Sequence, residues 1–258
     1  MSEPKKGSNG TAPPVAKIPG KESLRPPLPK RFYKSVTVVP RENGFAVLLD
    51  GKGIKTPAKK DLVLPTKALA DAIAAEWTAQ TERIDPDTMP LTRIANTAID
   101  AVSSHMREVA ADISAFAGND LLCYRASGPE GLIARQRALW NPVLDWARDE
   151  LGAALSLAEG VIHVAQPKEA LVHIERALEG LDPFRLACLH VITTLTGSAL
   201  IALAHARGKL NLEEAWAAAH VDEDWQIEHW GKDAEADARR MKRFAEFEAA
   251  SRMMSLLG

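Results

Sequence analysis

The chain has 258 residues, 46% of them apolar, and a formal charge of −2, which suits one large domain or two modest ones around a substantial core. A near-neutral, slightly acidic balance argues against general binding to nucleic acid or anionic membranes, since both need a basic surplus. Two cysteines in unrelated contexts, Cys123 and Cys188, give no zinc-type spacing and fit small core residues in a reducing cytosol.

Residues 1–30, dominated by Pro, Gly, Ser and Lys, read as a disordered tail. They hold no apolar run for a signal peptide. With Glu3 and Glu22 they are also unlike an Arg-rich amphipathic transit peptide. Order is expected from Arg31 onward. Tyr33, Val36 and Val38, then Phe45, Val47 and Leu49 alternate around Arg41-Glu42-Asn43-Gly44, the pattern of a hairpin. Asp50-Gly51-Lys52-Gly53 gives a second turn, Ile54-Lys55-Thr56 a short extended piece, and Leu62-Val63-Leu64 a further strand. So short a β-rich unit must lean on a helix. That helix starts with Thr66 as N-cap and presents Leu69, Ile73 and Trp77 at spacing four. It ends before a loop stiffened by Pro86 and Pro90.

Beyond this loop the chain reads helical. Ile94, Ala98, Ile99 and Val102 form one stripe, and Val109, Ile113 and Phe116 another, stopped at Gly118-Asn119. A longer helix from Pro129 to Leu151 carries Leu132, Leu139, Val143, Leu144 and Trp146 inward, with a kink expected at Pro142. Leu155 to Val164 breaks the pattern as a short hairpin or extended connection. Helices follow near 168–179, 183–206, 211–230 and 233–255, the last capped by Asp233. The apolar segment from Phe184 to Ala206 approaches the length of a membrane span. Its His190 and the hydroxyl residues between Thr193 and Ser198 favour a buried central helix. The expected fold is α+β: a small β-rich N-terminal domain (31–88) packed with a helix, then a larger all-helical C-terminal domain (89–258).

There is no P-loop, no Gly-x-Gly-x-x-Gly after a strand and no Gly-x-Ser-x-Gly elbow, so no cofactor is expected. Chemistry gathers instead in residues 212–230, LEEAWAAAHVDEDWQIEHW. On one continuous helix Leu212, Trp216, Ala219, Ile227 and Trp230 share an inner stripe with Glu223 in its middle, while Val221 and Trp225 form a smaller outer line. A carboxylate on a core-facing line is costly unless paired. Either an arginine such as Arg93, Arg125 or Arg135 answers it, or a partner molecule does. Trp216 and Trp230 are expected to pack inside, and Trp225 is the interface candidate. His220, Asp224 and Glu228, spaced four apart, could hold a metal. With Asp222 and Glu223 they could serve a carboxylate- or metal-dependent hydrolase. The same spacing describes a solvated face, and no second ligand helix or oxyanion donor stands out. His163, His173 and the Cys188/His190 pair carry weaker signals. Self-association through Trp225 is a third option, although a monomer is expected.

The blocks RFYKSVTV, GFAVLLDGKGIKTPAKKDLVLPTKALADAIAAEW, IDPDTMPLTRIANTAID, NDLLCYRA, WNPVLDWA and DEDWQIEHWG resemble the assembly chaperones for the ATP synthase catalytic head that act on its α subunit. The similarity runs over roughly residues 31–252. It implies a non-enzymatic role, in which the free α subunit is bound and the surface it later presents to β is shielded. It also implies a β-rich N-terminal part and a helical C-terminal part, and it makes the acids Asp222, Glu223, Asp224 and Glu228 functional. Among them Glu223 ranks first on its position. The block at Glu76-Trp77 is shared with the family, and Trp77 is expected to pack its helix onto the sheet. The lack of transit-peptide character points to a bacterial relative and a cytoplasmic location; in a eukaryotic host it would be the mitochondrial matrix.

Overall fold

A computed structural model describes residues 27–160 and 163–258. Most of the expected tail, residues 1–26, lies outside the described residues. Its last residues are held: the Ile84 N–H donates to the Pro29 carbonyl at 2.9 Å, and the Arg83 guanidinium to that of Leu28 at 2.7 Å. Order therefore begins before Arg31, because this segment zips onto the loop after the first helix.

β1 (Val36–Arg41) and β2 (Gly44–Leu49) pair antiparallel with Val38 opposite Val47, as the alternation requires. β3 (Lys52–Gly53) follows through Asp50-Gly51, where both residues have positive φ, 48° and 81°. That is the type I′ combination. The Asp50 carboxylate accepts from the Ser35 and Lys34 N–H groups, which hold it below the usual carboxylate range. β4 (Val63–Leu64) pairs with β2. There Gly44, at φ 138°, is obligatory: a Cβ would lie 2.3 Å from the Leu64 carbonyl oxygen.

α1 (Lys67–Ala79) is capped by Thr66, as expected, and packs on β1 and β2. The Tyr33 hydroxyl donates to the Trp77 carbonyl at 2.7 Å and its ring meets the Trp77 ring edge-on, so Trp77 ties the helix to the segment that leads into β1. α2 (Pro90–Asp100) has no side-chain cap of its own. Glu76 of α1 supplies one, accepting from the N–H groups of Leu91 (2.7 Å) and Thr92 (2.8 Å). Burial nevertheless raises its carboxyl above the ordinary range.

α3 (Met106–Ala117), β5 (Tyr124–Arg125) and α4 (Glu130–Leu151) come next. The most buried residues of α4 are Gln136, Trp140, Val143 and Ala147. Of the expected inner set Val143 is among them, while Leu132, Leu139, Leu144 and Trp146 pack against the core only partly buried. The deepest place goes to Trp140, fully buried, with its indole N–H donating to the Ala218 carbonyl at 2.7 Å. Pro142 falls on the exposed side and the helix continues through it. β6 (Ala158–Glu159) pairs parallel with β5, so the described part of the segment after α4 joins the sheet of β5 as an extended connection.

α5 (Lys168–Leu178), α6 (Pro183–Thr196) and α7 (Ala199–Ala206) follow. The single helix expected over 183–206 is two. Gly197 (φ 68°) closes α6 in the left-handed conformation and Ser198 caps α7 by accepting from the Ile201 N–H. No helix among the described residues is long and apolar enough to cross a membrane. At this break lies Asp120, fully buried, accepting from the N–H groups of Leu122 and Leu200 at 3.1 Å each and from the Ser198 hydroxyl. One carboxylate thus caps both a 3₁₀ turn (Leu121–Cys123) and α7, and burial pushes it up to about 6.

α8 (Leu212–Ala219), α9 (Val221–Trp230) and α10 (Ala234–Leu256) complete the chain. α10 packs across α6, α2, α8 and α1, and its Leu256 carbonyl accepts from the Thr66 hydroxyl at 2.7 Å. One buried cluster runs from Tyr33 to Leu257.

Candidate partner-binding surface

The acidic segment is not on one continuous helix. His220 ends α8 and begins α9, and its side chain is buried with Nδ1 2.9 Å from the Trp216 carbonyl. Burial depresses its pKa, so the ring is neutral, donates from Nδ1 and leaves Nε2 without a hydrogen bond. This break re-phases α9 relative to α8. Val221 becomes buried, whereas Trp230, expected inside, is 78% exposed. Trp216 does pack inside, between His220 and the rings of Phe244 and Phe247.

Three of the four acids are tied down. Asp222 accepts from the Gln136 amide of α4 at 2.7 Å. Asp224 meets Arg240 of α10 at 2.5 Å. Glu228 forms a two-pronged pair with Arg135 of α4, both bonds at 2.8 Å, which lowers its carboxyl pKa. Glu223 has no hydrogen bond among the described residues. Its nearest groups are Arg240 at 3.7 Å and the neutral His220 at 3.8 Å. The arginine beside it is therefore Arg240, and none of Arg93, Arg125 or Arg135. Arg93 pairs with Glu246, and Arg240 keeps one buried nitrogen unbonded. Glu223 shares a groove of about 290 Å³ with Ile227, Trp230, Ala236, Asp237 and Arg240. Glu223, Ile227 and Trp230 follow one another at i, i+4 and i+7 and make one face. Met241, also exposed, stands one turn beyond Asp237 on α10.

Trp225 is half-buried on α4 and is not free on the outer face. A Cβ on Gly131 would sit 2.5 Å from its ring, Arg135 lies over it at 5.3 Å, and His229 stacks beside it at 4.1 Å. This contact makes a signed prediction. Gly131→Ala should gain up to about 1 kcal/mol of helix propensity, yet lose more by displacing the indole, roughly 1–3 kcal/mol for overpacking. Net destabilisation with altered tryptophan fluorescence is expected in urea unfolding. A more stable variant would show that the indole is not seated there.

The arrangement does not assemble a metal site from His220, Asp224 and Glu228. The histidine faces its own helix turn, one acid goes to α10 and the other to α4. Among the described residues no group of three His, Cys, Asp or Glu could hold an ion. Cys123 and Cys188 are buried, and burial pushes both thiols up to about 12, far from a thiolate at neutral pH. His190 pairs with Asp112 at 2.7 Å and not with Cys188. His163 lies near the Tyr124 hydroxyl, and His173 packs over Gly152.

Sequence reasoning missed Arg240, Gly131 and the exposure of Trp230. A glycine in the first turn of a long helix was a usable sign of close approach. Nothing marks Arg240 among Arg239 and Arg243.

Residues 30–148 match the model of the ATP12 chaperone protein family. The mitochondrial protein atp12 of Schizosaccharomyces pombe is 25% identical over 222 residues, covering 80% of this chain and 76% of that relative. The crystal structure of Atp12 from Paracoccus denitrificans is 44% identical with a TM-score of 0.84, covering 89% of this chain and 99% of that one. A crystal structure from Agrobacterium tumefaciens is 51% identical with a TM-score of 0.87, covering 95% and 92%.

Proposed function

The chain belongs to the ATP12 chaperone family, whose task is ATP synthase assembly, and from that premise we propose that it captures the free α subunit of the catalytic head through the face made by Glu223, Ile227 and Trp230. The observation that carries this reading is the state of Glu223. Its neighbours Asp222, Asp224 and Glu228 are already hydrogen-bonded to α4 or α10, whereas Glu223 has only long contacts. A half-exposed carboxylate beside an exposed indole matches a partner that brings a lysine or arginine next to an apolar patch. Such a surface can be displaced when the client's permanent neighbour arrives, because its charge contributes more to orientation and speed than to affinity. Asp222, Asp224, Glu228 and Trp225 serve by holding α9 in place. No catalytic step is assigned to any of them. The location that accompanies this role is the bacterial cytoplasm, or the mitochondrial matrix in a eukaryotic host.

Glu223→Lys tests the proposal. It places a second cation beside Arg240, so a loss of a few degrees in melting temperature is expected together with an unchanged circular dichroism spectrum. Co-purification with tagged α subunit should fall about tenfold or more. Full retention of α by a folded Glu223→Lys protein rejects the assignment.

A further inference from the structure

On the other side of Gln136 from the acidic helix lies a second concavity of about 390 Å³, walled by β5, β6 and α4. Two arginines line it. Arg125 is held rigidly, with Nε donating to the Leu122 carbonyl at 3.0 Å, one terminal nitrogen donating to Asn141 at 2.9 Å, and its Cζ over the Trp140 ring, 5.1 Å from the centroid. Arg137 forms no hydrogen bond or ion pair among the described residues. Burial is the main cause that lowers the pKa of Arg125, and Arg137, which lines the same cavity, lowers it further. Glu159 lies on the same wall, opposite Arg125 in the strand register, yet no ion pair joins it to either arginine. Arg125 is half-buried and Arg137 is exposed at the rim of the same cavity, so two guanidinium groups reach one concavity while no ion pair neutralises either among the described residues. A negatively charged ligand seated between them would meet both.

We propose that this concavity is a binding site for a small phosphate-bearing anion, gripped by Arg125 and Arg137, with Asn141 and Gln136 at its polar edge and Ile133 and Leu157 as its apolar wall. The double positive charge favours a doubly charged oxyanion over a single carboxylate. Arg125 is pre-organised by its stacking and its two hydrogen bonds, so little freedom is lost on binding. The volume falls in the range of small-molecule sites. The site is independent of Glu223 and Trp230 and does not rest on the chaperone role. It borders the same glutamine, however: the Gln136 side chain accepts from the Ala126 N–H in the cavity wall and donates to Asp222 on α9.

Calorimetric titration of the full chain with inorganic phosphate and with pyrophosphate, in about 0.15 M sodium chloride, tests the site. Saturable binding of one pyrophosphate per chain is expected, stronger than phosphate and weakening as salt rises. Arg137→Gln touches no partner in the fold, so its melting temperature without ligand should match wild type while its affinity for pyrophosphate drops about tenfold or more. Arg125→Lys keeps the charge but loses the planar fork and should also bind more weakly. The proposal is overturned by the absence of saturable binding to either anion, or by Arg137→Gln binding pyrophosphate as wild type does. It is equally overturned if an acidic peptide, and not pyrophosphate, shows the Arg137-dependent binding.

Discussion

Trp230→Ala is expected to leave the melting temperature within about 2 °C of wild type while weakening capture of the free α subunit about thirtyfold or more. The indole is 78% exposed, and its only aromatic neighbour among the described residues is the His229 ring at 6.2 Å. Truncating it therefore removes little packing from the free protein. Exposed tryptophans at the centre of an interface commonly contribute about 2 kcal/mol or more, and each 1.4 kcal/mol is about a tenfold change. Titration of purified α subunit against the variant measures the effect. Trp225→Ala is the contrasting control: it empties the seat on Gly131 and uncovers Arg135, so it should lower thermal stability. If Trp230→Ala binds normally while Glu223→Lys does not, the apolar half of the surface lies elsewhere.

Asp120→Ala is expected to destabilise the fold by about 3–5 kcal/mol. The N–H groups of Leu122 and Leu200 and the Ser198 hydroxyl lose a fully buried acceptor. Each orphaned buried donor costs about 1–3 kcal/mol. Relief from desolving the carboxylate offsets only part of this. The pH dependence has a definite sign. Because the folded-state value is about 6, above the ordinary carboxyl value of 3.8, the native protein holds this proton more tightly than the unfolded chain. The stabilisation linked to it is complete below the unfolded value and fades as pH rises through about 6. Wild type should therefore gain roughly 1 kcal/mol over Asp120→Ala on going from pH 7 to pH 5. Urea midpoints for both proteins at the two pH values decide it; a gap independent of pH means that Asp120 is ionised throughout.

The elements with strong local signals were legible in the chain itself. Alternation with β-branched residues marked β1 and β2, Thr66 and Asp233 marked two helix starts, and the 3.6-residue stripes marked α2 and α3. The errors arose where one residue changes helical phase. A pattern summed over 183–206 or 211–230 remains periodic across Gly197 or His220, so the breaks were hidden although a Gly-Ser pair is a recognisable stop and start. The phase slip at His220 then inverted the faces of α9, exchanging Trp230 and Val221. Position in the stripe singled out Glu223. Its surroundings were not legible, because they depend on α10 crossing α8 and α9, a packing choice that leaves no trace near either segment. On α4 the expected leucines do pack against the core, but Trp140 and Gln136 go deeper because they find polar partners there, which hydrophobicity alone does not reveal.

Arg240, which flanks Glu223 and clasps Asp224, comes from α10, whereas Arg135 and Gly131, which seat the other side of the same helix, come from α4. The orientation of α9 is therefore set by two helices from distant parts of the chain, one gripping each side, and the proposed recognition face depends on both being docked at once.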